Sequence, residues 1–396
     1  VHLAYLHYLY GDDTAHHHVR QFAEAARDLG HRVDVHGMNL GPPDGEGNGG
    51  PPPLARRLRD WLKKRLGYLL HEPKELFWNL RYLRRETELL APEPPDVLLV
   101  RDHALTASCV PVARRLGVPL VLEVNAPAAE SGLFLDQYLH LPWIGGWLEG
   151  WKLRRADGVT VVSTALEEHL VARHRIGAEK VAVVPNGADL HRFHPGVDPD
   201  PELPADFRGR PVVGFVGSFH KWHGTELLGR MARAVGAARA DARFLFVGDG
   251  PEAGALHRDA AELGDRAAFT GRVPHARVPG LVAAFDVGAV AAAGFYMCPL
   301  KVIEWMAAGR AVVAPCQGPL RELIDDGVHG LLFPTGDADA LAAAVVRLVD
   351  DPDLRRRLGR AAAERAHATL SWTDNARRVL TVCERVREGR TPPASP

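Results

Sequence analysis

Lys301 and Glu304 stand three residues apart in PLKVIEWMAAGRAVVAP (299–315), where a proline opens a short helix-forming run, Gly309 ends it and an apolar run follows. Proline just inside the start and glycine just past the end bound a helix. The helix that begins over Pro299 to Lys301 has free N–H groups and a positive dipole end that attract an anion, and Lys301 adds a full charge. Glu304, one turn further on, suits two hydrogen bonds from a ribose diol. The loop GSFHKWHG (217–224) offers backbone amides at Gly217 and Ser218 and cations at Lys221 and His223. It follows PVVGFV, at the strand edge where a doubly wound sheet binds its ligand. The loop GRVPH (271–275) can meet a base through backbone groups around Arg272 and Val273. Taken alone, Lys301 and Glu304 also read as a surface pair worth roughly 0.2–0.5 kcal/mol, and GSF as a plain strand-to-helix turn. All three features, in order, suit a phosphate, a ribose and a base.

The elements that must position these residues alternate between strand and helix. VHLAYLHYLY reads as a buried strand, HHHVRQFAEAARDLG as a helix ended by Gly30, and HRVDVHG as a second strand, a βαβ unit with a parallel sheet. PDVLLVRD and VPLVLEVN flank a helix expected over 105–117, and DGVTVVS precedes the helix TALEEHLVARH with Thr164 as its N-cap. The pattern restarts at PVVGFVGS and runs through ARFLFVGDG, AAFTGRV and DVGAVAA to GLLFP and a closing helical region. The fold class is therefore α/β, with Rossmann-like domains over 1–195 and 205–371 and a proline-rich joint over 195–211. The glycine- and proline-rich stretch 40–53 reads as a mobile loop, and 391–396 as a disordered tail. The basic segment 54–90, interleaved with Trp61, Phe77 and Trp78, is expected to break in two at Pro73.

A chain of 396 residues exceeds what one core usually organises, and 46% apolar and 24% charged residues are ordinary globular values. The formal charge of −1 removes any global electrostatic case for nucleic acid. Four cysteines, at 109, 298, 316 and 383, show no C-x-x-C spacing and read as buried small hydrophobes in a reducing compartment. The first ten residues are too short and too aromatic for a signal peptide, and no run of eighteen apolar residues occurs, so a soluble, cytoplasmic protein is expected. For 54–90 the neutral overall charge and Pro73 favour an acceptor lid or a dimer face over an anionic membrane surface. The oligomeric state is not legible.

Over nearly its whole length the chain resembles a family 4 retaining glycosyltransferase of the GT-B fold. The resemblance rests on GHRVDVHG, VVPNGADLHRFHP, GFVGSFHKWHG, FLFVGDGP, FTGRVPHARVPGLVAAFDVGAV, PLKVIEWMAAGRAVVAP and GVHGLLFP. It implies a nucleotide-sugar, with UDP or GDP, in the C-terminal domain and a small-molecule acceptor in the N-terminal one. Catalysis is expected in the cleft between them, with a last helix over 372–390 crossing back onto the first domain. It implies retention of configuration with neither metal nor cofactor: Lys301, Lys221 and Ser218 would stabilise the leaving diphosphate, whose oxygen takes the acceptor's proton.

Several positions depart from the family pattern. Its loop arginine and lysine fall on Ser218 and His223, and the first of two glutamates with seven residues between them falls on Tyr296, the second being Glu304. An unusual donor sugar follows as an expectation, with backbone amides from Phe295 to Cys298 reaching it, and specialised metabolism in a bacterium as its setting. Asn125 replaces a customary histidine and would touch the donor sugar. Gly11, Asp13, His16, His17, His18, His103 and Glu123 are the candidates for positioning the acceptor, Glu123 reading equally as half of a structural ion pair. Neighbouring helix residues point about 100° apart, so the three histidines cannot converge on one ion unaided, and no metal site is expected. A nicotinamide oxidoreductase would need G-x-G-x-x-G, which YGDDTAH and VGSFHKWHG both lack. A nucleotide-sugar epimerase, a nucleotide-binding pseudoenzyme and a membrane-lipid acceptor remain as alternatives.

Overall fold

VVGFV, RFLFV and AVVAP are near-continuous apolar runs, the pattern of strands covered on both faces of a parallel sheet, and the computed structural model places each in such a sheet. It describes residues 1–9, 14–38, 54–127 and 142–389, with side chains from residue 16 in the first helix and from residue 72 in the second. Gly11, Asp13, the stretch 40–53 and the tail 391–396 lie outside the described residues. Contacts divide the chain into two units. Unit 1 comprises Val1–Val162, Leu166–Val184 and the chain from Ala376 onward, and unit 2 comprises Ser163–Ala165 and Pro185–Asn375.

Unit 1 alternates β1 (His2–His7), α1 (Thr14–Asp28), β2 (Arg32–Gly37), α2 (Leu54–Leu90), β3 (Val97–Arg101), α3 (Cys109–Leu116), β4 (Leu120–Val124), α4 (Pro142–Arg155), β5 (Gly158–Val161), α5 (Thr164–His174) and β6 (Val181–Val183). All its strand pairs are parallel, in the order β2-β1-β3-β4-β5-β6. The order reverses between β1 and β3, so the crevice of this sheet opens where Tyr8 and His103 follow their strands.

Three sequence expectations fail here. The helix α2 runs through Pro73 without a break. Pro73 is exposed, and beyond it Trp78 and Tyr82 are buried edge to face at 6.4 Å, so tertiary packing carries the helix past one missing hydrogen bond. The helix expected over 105–117 starts only at Cys109. Thr164 is the first helical residue of α5 and not its cap.

Unit 2 continues with β7 (Val212–Val216), α6 (Thr225–Ala238), β8 (Arg243–Val247), α7 (Ala253–Asp259), β9 (Ala267–Phe269), α8 (Val278–Ala283), β10 (Val287–Ala289), α9 (Leu300–Ala307), β11 (Ala311–Pro315), α10 (Gly318–Leu323), β12 (Leu331–Phe333), α11 (Ala338–Asp350) and α12 (Pro352–Thr369). Its parallel order, β12-β11-β10-β7-β8-β9, is that of a dinucleotide-binding sheet, with the switch between β7 and β10. The last helix, α13 (Trp372–Arg387), begins in unit 2 and belongs to unit 1 from Ala376, where Val382 and Val386 lie against β5 at Gly158. Three of the four cysteines are buried, and Cys316 is exposed. Among the described residues no helix is long and apolar enough to cross a membrane.

Candidate active site

The switch point of unit 2 carries the residues singled out by their chemistry. After β7 the chain turns at Gly217 with φ +149°, and after β8 at Gly248 with φ +123°. A Cβ on Gly248 would lie 2.1 Å from the Gly217 carbonyl oxygen, so these two strand ends approach backbone to backbone. A Cβ on Gly217 would lie 2.5 Å from Lys301 Nζ. Glycine at 217 is therefore what lets the lysine run alongside the loop.

Both helices that start at this edge, α6 at Gly224 and α9 at Pro299, lack a side-chain cap. Their first N–H groups remain for an anion. Lys301 Nζ is buried without a hydrogen-bond partner and stands 4.3 Å from the centre of the Phe215 ring. A buried ammonium with nothing to donate to is costly, and an anion beside it would lower that cost.

The electrostatics agree with that reading. Burial pushes the Lys301 ammonium down to about 7, with the Glu304 carboxylate opposing. Burial pushes the Glu304 carboxyl up to about 7 against the pull of Arg192 and Lys301. Burial and the neighbouring Lys301 take the His223 imidazole down to about 3, and its Nδ1 lies 2.5 Å from the Ser218 carbonyl oxygen. His223 is thus neutral and does not supply the cation expected from the sequence. Ser218 and Lys221 are exposed. Arg272 is exposed, Val273 is half-buried, and the neighbouring His275 is pinned by Arg192, whose Nη2 donates to the His275 carbonyl at 2.6 Å.

The loop before α9 is held from below. Ser163 Oγ donates to the Tyr296 carbonyl at 2.9 Å, and Asn186 Nδ2 donates to the Cys298 carbonyl at 2.8 Å. Fixing alternate carbonyls fixes the amides between them. Tyr296 is itself only 2% exposed, so its side chain packs inward, while Phe295 is 40% exposed. Burial pushes the Cys298 thiol up to about 12, leaving it an inert neighbour. Sequence reasoning missed Ser163, Asn186, Phe215, Arg192 and Gly248. Only Gly248 had a local signal, the glycines of VGDGP.

Unit 1 gathers a second cluster at the end of β4. Glu123 accepts from the Tyr5 hydroxyl and from Asn125 Nδ2, and from Arg101 Nη1 at 2.6 Å, with His18 Nε2 at 3.2 Å. Burial raises its carboxyl, but His18 and Arg101 outweigh burial and hold it well below the usual carboxylate range. Glu123 therefore works as an ionised hub that orients His18 and Asn125, the ion-pair half of its two sequence readings.

His16 and His17, the two residues before His18 on α1, are half-buried. His103 is set by Lys152, whose buried ammonium meets Asp102 Oδ1 at 2.5 Å and the His103 carbonyl at 2.6 Å. Beside it, Glu86 accepts from Tyr8 and Ser108 hydroxyls, each at 2.8 Å. Burial raises that carboxyl to about 7 despite both hydrogen bonds.

Comparison with known proteins fits both units. Residues 14–187 match the glycosyl transferase 4-like domain and residues 210–351 the group 1 glycosyl transferases. The 2-deoxystreptamine glucosyltransferase of Streptomyces kanamyceticus is 30% identical over 65% of this chain and 69% of its own. A GDP-mannose-dependent alpha-mannosyltransferase of Mycobacterium tuberculosis is 30% identical over 76% of each chain. In structure, Anabaena HepE, solved in complex with UDP, superposes with a TM-score of 0.71 at 17% identity, covering 97% of this chain and all of that one. With its two parallel sheets of GT-B type, the chain is a glycosyltransferase and belongs to family 4 of that class.

Proposed function

We propose that the protein transfers a sugar from a UDP- or GDP-sugar to a polar small molecule, with retention of anomeric configuration and without a metal ion. The observation that carries this reading is Lys301, a buried, partnerless ammonium at an uncapped helix start beside Gly217. The donor's diphosphate lies against the starts of α6 and α9 and takes the three donors of Lys301 Nζ. Glu304 receives the ribose hydroxyls. As the bond from the sugar C1 to the phosphate oxygen breaks, the charge growing on that oxygen meets dipoles and an ammonium already in place. The acceptor oxygen bonds to C1 from the same face, and its proton passes to the departing phosphate oxygen.

The polar crevice of unit 1, with Tyr8, His103, His18 and Asn125, suits an acceptor rich in hydroxyl or amino groups. The similarity to a 2-deoxystreptamine glucosyltransferase supports an acceptor of that kind, and specialised metabolism as the setting. The test incubates the protein with UDP-glucose or GDP-mannose and 2-deoxystreptamine in chelator and reads the product's anomeric signal by NMR. An α-linked product supports the proposal. A β-linked product, a strict metal requirement, isomerised donor without acceptor, or neither product nor donor hydrolysis would each overturn it.

A further inference from the structure

The N-terminal edge of the unit 2 sheet, opposite the edge that carries Lys301, holds a cavity of about 600 Å³. Its walls are the joint segment around Phe207, the start of β7 at Val212, the residues leading into β10 and β11, and the start of α12 at Pro352. The volume falls within the range of small-molecule sites. Five arginines line it against three aspartates.

The pairing among these charges decides what the cavity can bind. Arg239 meets Asp241 at 3.1 Å and also meets Asp350, and Arg355 meets Asp286 at 3.1 Å. Each of the three acids therefore already has an arginine partner, Arg239 serving two of them. Among the described residues, Arg208 and Arg310 have no acid within salt-bridge distance. Arg310 is half-buried, and its guanidinium donates only to main-chain carbonyls, those of Ala308, Ala283 and Phe285, at 2.8 to 3.1 Å. Asp286, already paired with Arg355, acts on Arg310 only from beyond salt-bridge distance, and burying a guanidinium with so little counter-charge is unfavourable. An anion beside it would supply what the fold leaves out. Leu203, Phe207 and Phe285 add an apolar side to the same cavity, so the occupant carries a carbon frame as well as a charge.

We propose that this cavity is a second ligand site that takes a small phosphate ester, with the phosphate met by Arg310 and Arg208 and the carbon frame set against the apolar wall. Arg208 offers phosphate oxygens the planar, two-bond fork that a lysine cannot, and Arg310 adds the N–H groups of Nη2, its Nε and Nη1 being taken by carbonyls. The site is separate from the nucleotide seat, because parallel strands put the two at opposite ends of β7.

The test is a calorimetric titration of the full chain with glucose 6-phosphate, with glucose as the uncharged control. Arg208 is exposed, so R208E and R208Q leave the fold intact, and an unchanged response to nucleoside diphosphate checks that they do. Binding to the wild type, weakened at least about tenfold in R208E, which corresponds to about 1.4 kcal/mol, and retained in K301M, is the expected result. No binding, equal binding of glucose, or binding lost in K301M and kept in both Arg208 variants would overturn the proposal.

Discussion

Lys301 stands over the face of Phe215, its Nζ 4.3 Å from the ring centre, with no hydrogen-bond acceptor in reach. The ring's negative face stabilises the ammonium by roughly 0.5–2 kcal/mol while leaving its three donors unused. In the proposed function, Phe215 thereby holds the ammonium beside the phosphate without competing for its donors.

Removing that charge separates stability from function. K301M replaces a buried cation that has no hydrogen-bond partner with an apolar side chain of similar length, which removes the desolvation penalty that a lone buried charge carries. The free variant should melt at a higher temperature than the wild type. Its transfer rate should fall by roughly 10²–10³, the usual cost of losing one preorganised group that stabilises developing charge. Thermal melts and initial rates on the same preparation check both.

The titration of the seat gives a pH signature. The folded pKa of Lys301, about 7, lies below its ordinary 10.5, so the unfolded chain binds more protons between those values and stability rises with pH across that window. Glu304 is raised from 4.5 to about 7, so there the folded state binds more protons and stability falls as pH climbs from 4.5 to 7. Denaturant melts from pH 4.5 to 10.5 should lose the upper slope in K301M and the lower slope in E304Q. At pH 8, binding a nucleoside diphosphate should take up a proton, seen as a buffer-dependent heat of binding that K301M abolishes.

Gly217 is glycine for a conformational reason. G217A puts an L side chain at φ +149°, a strained conformation that costs roughly 1–3 kcal/mol, and its Cβ displaces the flexible end of Lys301. The variant should fold with a lowered melting temperature and lose nucleotide affinity, measured by calorimetry.

Glu123 is predicted to act through structure. E123Q removes a buried negative charge from beside Arg101 and His18 and should destabilise unit 1 by roughly 3–5 kcal/mol. Because the folded carboxyl is depressed, its contribution is complete above the ordinary value of 4.5 and is lost as pH falls toward the folded value. Acid melts of E123Q should lack that part of the wild-type decline.

Much of this was legible locally. Strands such as VVGFV and AVVAP are apolar throughout, Gly309 closes α9, and Lys301 with Glu304 points to the proposed seat once GSFHKWHG and GRVPH are read with it. What stayed hidden depends on partners far along the chain. Ser163 and Asn186 reach carbonyls 133 and 112 residues away, and Tyr5 reaches Glu123 across 118. The inner face of α2 was hidden for another reason. Glu72, Glu75 and Glu86 are buried while Phe77 and Leu80 are exposed, the reverse of the pattern that makes an amphipathic helix readable. His223 reads as a cation by residue type, and only its burial beside Lys301 shows that it is neutral.

The central claim is that Lys301, Gly217 and the start of α9 seat a nucleoside diphosphate. The most direct test is a thermal-shift measurement with UDP, GDP, dTDP, ADP and NAD, in chelator, on the wild type and K301M, since a ligand that binds only the folded state must raise its melting temperature. The account predicts that UDP or GDP raises the wild-type melting temperature and leaves that of K301M unchanged. No shift with either, a shift with NAD alone, or an equal shift in K301M would contradict it.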